Sequence, residues 1–244
     1  MKKYKVVVCD HIHEAGLEML QKDEAIDFVM AADIDKVSLL DVIKDADVAI
    51  TRSSTDVDDK FIAAAKNMKA IVRAGVGVDN VDIDGCSKEG IIVMNVPTAN
   101  TIAAVELTMT HMLSCMRMFP YSHNHLKLDR VWKREKWYGY ELKGKKLGVI
   151  GFGNIGSRVA IRSKAFEMDV IAYDPYIHPS KVTDLDMTYT NNFEDILACD
   201  IITIHTPKNQ ETVGMINDAE IAKMKDGVVL INCARGGLYN EEAL

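Results

Sequence analysis

Long apolar runs are missing from this chain. No stretch of its 244 residues approaches the ~20 apolar positions of a bilayer-spanning helix, so no segment reads as a membrane span. An excess of basic residues is missing too. Lys and Arg number 29 against 36 Asp and Glu, a net charge of −7, and a general affinity for nucleic acid or anionic membrane is not expected. Proline is sparse at 5 residues, and no segment is of low complexity. The 5 cysteines (Cys9, Cys86, Cys115, Cys199, Cys233) are odd in number and contain no C-x-x-C pair. That pattern speaks against a disulfide framework or a zinc site and for reduced thiols in a cytoplasmic protein. The start, MKKYKVVVCD, has too short an apolar stretch for a signal peptide, and Asp10 follows at once. What is present is ordinary globular material: 48 % apolar and 27 % charged residues, enough apolar surface to offset the entropy of ordering.

Short β-branched runs alternate with helical patterns. Strands are predicted at 6–9 (VVVC), 26–30 (IDFVM), 47–51 (DVAIT), 70–74 (AIVRA) and 91–95 (IIVMN), with helices at 13–22, 35–44 and around 58–67 between them. Strands of this length separated by helices of about ten residues imply βαβ units and a parallel sheet. Residues 1–98 therefore read as one doubly wound α/β domain. Residues 98–119 predict a helix on which Ile102, Val105, Met109, Met112, Leu113 and Met116 share a face, while Ala103, Ala104, Leu107 and Cys115 leave the other faces hardly polar. Such a helix must be covered on several sides, by a second domain or a second subunit. Residues 120–145 read as a solvated loop with Trp132 and Trp137 packed as anchors. From 146 the alternation restarts: strand KLGVI, a helix to about 166, strand 169–174, a strand–helix unit, strand 200–207, a helix around 218–226 and strand 228–237. Residues 99–244 thus read as a second doubly wound domain. It breaks off at NEEAL, where Asn240 resembles the cap of a further helix, so both domains are expected to be incomplete at their C-terminal ends.

Gly151-Phe152-Gly153-Asn154-Ile155-Gly156 fits G-x-G-x-x-G, and its setting gives the motif meaning. A strand precedes it, a helix with Ile155, Val159 and Phe166 on one face follows, and Asp174 ends the next strand. Gly151 permits the tight turn, Gly153 lets a pyrophosphate approach the backbone, and Gly156 lets helix and strand pack closely. The N–H groups of Asn154 and Ile155 then face the phosphates at the positive end of the helix. Asp174 accepts hydrogen bonds from the adenosine ribose and repels a 2′-phosphate, so the expected cofactor is NAD rather than NADP.

VRAGVGVDNVDI (72–83), the fingerprint at 150–156, YDP (173–175), HTP (205–207) and NCARGG (232–237) occur in this order. Together they resemble the D-isomer-specific 2-hydroxyacid dehydrogenases, and within that family the phosphoglycerate branch. The resemblance covers essentially the whole chain. It implies a flavodoxin-like substrate domain (1–98) and a Rossmann NAD-binding domain (99–244) with the active site between them. It also implies a homodimer or higher homo-oligomer through the NAD-binding domain, with the helix at 98–119 at the interface. It places the catalytic arginine on Arg235, whose guanidinium forks onto the substrate carboxylate and carbonyl oxygen. It places the substrate loop on Ala74-Gly75-Val76-Gly77, where Gly75 and Gly77 free main-chain N–H groups to form an anion nest. Arg52 and Arg73, near the ends of predicted strands, are expected to help hold a substrate phosphate. Thr206 and Pro207 shape the pocket around the cofactor, and Cys233 and Ala234 face the nicotinamide through their backbone.

The implied reaction moves hydride between NAD and C2 of a D-2-hydroxy acid, with 3-phosphoglycerate to 3-phosphohydroxypyruvate, a step of serine biosynthesis, as the leading substrate pair. Unphosphorylated acids (glycerate, glyoxylate, lactate) and a non-catalytic NAD-sensing dimeric scaffold are the alternatives. The family's acid/base His and its Glu partner fall downstream of residue 244, and none of His11, His13, His111, His123, His125, His178 or His205 matches that position. A general acid is worth about 10²–10⁴ in rate, so little turnover is expected of these 244 residues alone.

Overall fold

The computed structural model describes residues 3–244. The chain forms two compact units, Met1–Asn100 and Thr101–Leu244. Unit one contains β1 (Tyr4–Val8), α1 (Glu14–Lys22), β2 (Ile26–Met30), α2 (Lys36–Val42), β3 (Val48–Thr51), α3 (Asp59–Ala64), β4 (Ala70–Arg73), α4 (Ile83–Lys88) and β5 (Ile92–Asn95). All strand pairs are parallel, in the order β2-β1-β3-β4-β5, the flavodoxin-like arrangement. Val7, Ala49 and Ile71 are fully buried at its centre against Ile43 and Phe61. A fully buried side chain of this kind contributes about 1.5–3 kcal/mol. Asp35, Asp58 and Asp82 cap α2, α3 and α4 by accepting main-chain N–H bonds. The helix α4 is absent from the sequence expectations: IDGCSK holds a glycine and no apolar period, and only the cap at Asp82 signals it.

Unit two contains α5 (Thr101–Met116), α6 (Phe119–Lys127), a 3-10 turn (Arg134–Trp137), β6 (Lys146–Ile150), α7 (Gly156–Ala165), β7 (Asp169–Tyr173), α8 (Ser180–Thr183), β8 (Thr188–Thr190), α9 (Phe193–Leu197), β9 (Ile201–Ile204), α10 (Asp218–Ile221) and β10 (Val229–Asn232). The parallel order β10-β9-β6-β7-β8 is the first half of a Rossmann sheet extended past its reversal, so both units are the doubly wound α/β folds expected. The reversal falls between β6 and β9, and it brings the carboxyl ends Ile150 and Ile204, which pair in register, to one edge of a crevice.

α5 buries Val105, Met109, Met112 and Met116 against α7 and the sheet. Leu107 and Cys115 on its opposite side are exposed, and so is Ile102, expected on the packed face. The expected loop at 120–145 is partly helical. Met118, in the left-handed region at φ 52°, ends α5, and Pro120 stands in the first turn of α6, where its missing N–H costs nothing. Trp137 does anchor this segment. Its ring stacks on Tyr121 at 5.6 Å, and its Nε1–H donates to His125 Nδ1 at 3.0 Å. Trp132 does not, being 76 % exposed. Phe166, expected on the packed face of α7, lies past the helix end and is exposed. Among the described residues, no helix is long and apolar enough to cross a membrane.

Candidate active site

β6 ends at Ile150, and the chain turns at once through Gly151 at φ +85°. Only glycine takes this position, because a Cβ there would also lie 3.0 Å from the His205 carbonyl and from the Thr206 methyl. Gly156 opens α7 so close beneath the turn that its Cβ would sit 1.9 Å from the Gly151 oxygen. Gly153 differs: its added Cβ would meet nothing within 4 Å. Two glycines of the motif thus serve internal packing, and the third leaves room above its backbone. Among the described residues no side chain caps α7, whose first turn also lacks an acidic residue, although six other helices are capped by a His, Asp or Asn. Its N-terminal N–H groups with the dipole behind them suit a phosphate.

Asp174 follows β7. Its Oδ2 accepts from Phe152 N–H at 2.8 Å and its Oδ1 from Tyr176 N–H at 2.9 Å. The carboxylate therefore pins the glycine turn as well as presenting charge beside it. Each oxygen keeps a lone pair for a ribose hydroxyl. Asp174→Ala should reduce the preference for NAD over NADP by about tenfold or more, read by calorimetric titration of both nucleotides. Unchanged selectivity would remove its ribose role.

The β9 end supplies the other wall. His205 donates its main-chain N–H to Ile150 O at 2.8 Å, and its ring meets Thr203 Oγ1 at 3.0 Å. Burial pushes the imidazole down to about 4, so it is neutral at physiological pH and no proton donor. Thr206 Oγ1 is buried and has no hydrogen-bond partner among the described residues. Pro207 O accepts from Thr212 Oγ1 at 2.6 Å, which fixes the following loop. Room above Gly153, uncapped N–H groups and an unsatisfied hydroxyl on the facing loop together fit a dinucleotide.

After β10, Asn232 holds the next turn from both sides. Its Oδ1 accepts from Ala234 N–H at 2.9 Å and its Nδ2 donates to Arg235 O at 2.8 Å. Arg235 is half-buried, donates Nη1–H to Ala234 O at 2.8 Å, and lines a cavity of about 360 Å³ with Cys233, Ala234, Gly236 and Tyr239. Asn232 was not among the expected site residues. Its signal is the turn chemistry of an Asn two residues before an N–H it can accept from.

In unit one, Arg52 and the 74–77 loop lie past the carboxyl ends of β3 and β4, Arg73 is the last residue of β4, and Ala74 N–H donates to Thr51 O at 2.8 Å. Neither Gly75 nor Gly77 has a positive φ, so the loop turns without the left-handed region. Gly75 instead makes room for Arg73, whose Nη1 would lie 1.7 Å from a Cβ there. The Arg73 Nε is buried without a partner among the described residues. Asn95 Nδ2 donates to Val76 O at 2.7 Å and Val96 N–H to Gly75 O at 3.0 Å, so the loop's carbonyls are engaged. Arg52 donates its main-chain N–H to Asp10 Oδ2 and Nη1–H to His11 O at 2.8 Å. Asn80, also not anticipated, ties the Arg52 and Thr55 carbonyls together at 2.7 and 2.6 Å.

Unit two is thus a dinucleotide-binding unit with an arginine on the turn after its β10. Residues 109–244 match the D-isomer specific 2-hydroxyacid dehydrogenase, NAD binding domain. The chain belongs to that family, and its cofactor is NAD. It is 39 % identical over 98 % of its length to a D-3-phosphoglycerate dehydrogenase of Archaeoglobus fulgidus, covering 45 % of that protein. It is 41 % identical over its whole length to a hydroxypyruvate reductase of Thermotoga maritima, covering 78 % of that one. The crystal structure of a D-lactate dehydrogenase from Aquifex aeolicus, complexed with NAD and lactic acid, superposes with a TM-score of 0.87 at 29 % identity, over 98 % of this chain and 71 % of that one. The chain spans about half the length of the phosphoglycerate dehydrogenases it matches.

Proposed function

We propose that this chain carries the cofactor-binding and substrate-polarising parts of an NAD-dependent D-2-hydroxyacid dehydrogenase. The observation that carries the reading is Arg235, held by Asn232 at the rim of a cavity that follows β10 in the NAD-binding unit. Bound NAD supplies the acceptor for the hydride leaving C2. Gly153 and the first turn of α7 take the pyrophosphate, Thr206 Oγ1 gains the partner it lacks, and Asp174 holds the ribose. Arg235 donates in parallel to the substrate carboxylate and to the C2 oxygen, stabilising charge on that oxygen in the transition state. The hydroxyl proton released with the hydride is left to the acid/base His that the family resemblance places downstream of residue 244, and burial keeps His205 uncharged.

The favoured substrate is 3-phosphoglycerate. Two cations, Arg52 and Arg73, stand at the carboxyl ends of neighbouring strands of unit one, and the Archaeoglobus relative bears that enzyme's name. Hydroxypyruvate is the second reading, because the Thermotoga relative is matched over far more of its length. Binding to the NAD complex separates them. 3-Phosphoglycerate should bind at least about tenfold more tightly than glycerate, and Arg73→Leu should remove the difference. Equal affinities would favour the unphosphorylated acids.

We also propose a homodimer through α5 and α6. Ile102, Leu107, Phe119 and Tyr121 on these helices, and Leu128 and Trp132 just after them, are 44–76 % exposed, and exposed large apolar side chains in such number suit an interaction surface. Sedimentation equilibrium should report a dimer that Leu107→Glu converts to monomer, whereas a wild-type monomer would refute the interface.

A further inference from the structure

Unit one has a crevice that neither Arg52 nor Arg73 lines. In the order β2-β1-β3-β4-β5 the winding reverses between β1 and β3, and open α/β sheets take ligands outside the strand ends at such a reversal. A cavity of about 300 Å³ opens there, lined among others by Cys9, Asp10, Ala32, Leu39, Thr55 and Phe61. Its floor is apolar: Cys9, Leu39 and Phe61 are 3, 6 and 2 % exposed. Burial and the charge of Asp10 push the Cys9 thiol up to about 12, so it is an inert neutral wall.

Asp10 breaks this apolar lining. It is 5 % exposed. Its Oδ2 accepts the Arg52 N–H, while no donor among the described residues reaches Oδ1. The other charges around the cavity are engaged or solvated. Lys36 pairs with Asp56 at 3.1 Å, Asp58 caps α3, and Lys60 is on the exposed rim. That oxygen is not sealed from solvent, so its lone pairs are open to a ligand, and an ammonium brings donors and the compensating charge together.

We infer that this cavity binds a small organic cation, its primary ammonium donating to Asp10 Oδ1 and its short aliphatic body lying on Leu39 and Phe61. Anions of the same length are repelled by the same carboxylate. Because Oδ2 holds the Arg52 main chain, occupancy of the cavity is felt at the Arg52 amide. The inference stands apart from the dehydrogenase reading, since it uses neither NAD nor Arg235.

Titration of the ¹⁵N-labelled protein with pentylammonium, against pentanoate and pentanol as controls, tests it. Saturable shifts are expected at the amides of Cys9, Asp10, Thr55 and Arg52, with a dissociation constant on the order of 1 mM, as suits so small a ligand. Both controls should bind at least about tenfold more weakly, as should pentylammonium to Asp10→Asn. Ala32→Phe, at a half-buried lining position, fills the cavity without entering the core and should abolish the shifts while NAD affinity is kept. No saturable shift at these amides, equal binding of pentanoate, or undiminished binding by Ala32→Phe overturns the site.

Discussion

Replacing Gly156 by alanine should cost both stability and NAD affinity, whereas Gly153→Ala should cost affinity alone. At 156 the new methyl would lie 1.9 Å from the Gly151 main-chain oxygen, which cannot swing aside as a side chain would. Either α7 backs away from β6 or the turn unwinds, and both disturb the buried Val159–Val149 packing behind them. Overpacking of this kind costs about 1–3 kcal/mol, or about 2–10 °C in Tm for a chain of this size. It also moves the N–H groups that would meet the pyrophosphate, so NAD affinity should fall by about a hundredfold. At 153 the methyl meets no protein atom within 4 Å and the φ is not positive, so the melting temperature should not fall and should rise by at most about 4 °C. The methyl occupies the space a phosphate must enter, and NAD affinity should fall by about tenfold or more. Thermal melts with calorimetric NAD titration check both variants. A Gly153→Ala protein that binds NAD normally would show that the room above that residue is not the phosphate's.

The two glycines also show what could be read in advance and what could not. A motif treats its glycines as one unit, and only the neighbours of each position separate steric necessity from ligand access. The strands were legible because VVVC, IDFVM and DVIAY are β-branched runs bounded by turns, and burial on both faces of a parallel sheet needs nothing more. The helix α4 was not, since its stability comes from the Asp82 cap and from packing on Ile62 rather than from propensity. Trp132 and Trp137 look alike in sequence, but only Trp137 finds Tyr121 and His125 beside it, a contact set by the path of α6. The same holds at the site. Arg235 and Asp174 stand in readable motifs. The tie from Asn232 to Arg235, the tie from Asp10 to Arg52 and the packing of Arg73 against Gly75 depend on where a turn brings side chain and main chain together.

In a form that also carries the family's acid/base His and Glu, Arg235→Lys should lower kcat/KM for the 2-hydroxy acid by about 10²–10³ while leaving NAD affinity within about threefold and the melting temperature nearly unchanged. The guanidinium is planar, and its Nη1 donation to Ala234 O fixes its orientation beside the cavity. A carboxylate and an adjacent carbonyl oxygen need two parallel donors at fixed spacing, which a guanidinium supplies and an ammonium does not. Lysine keeps the charge and much of the length, so substrate capture should weaken less than the chemical step. The loss should appear mostly in kcat, where charge develops on the C2 oxygen, and less in KM. Stability should hold because the turn is fixed by the Asn232 side chain acting on main-chain atoms, which the substitution leaves in place. Steady-state kinetics, a calorimetric NAD titration and a melt on one preparation separate these effects. Near-normal turnover by the lysine variant would take Arg235 out of the chemistry, and a comparable fall in NAD affinity would recast it as a residue that holds the cofactor.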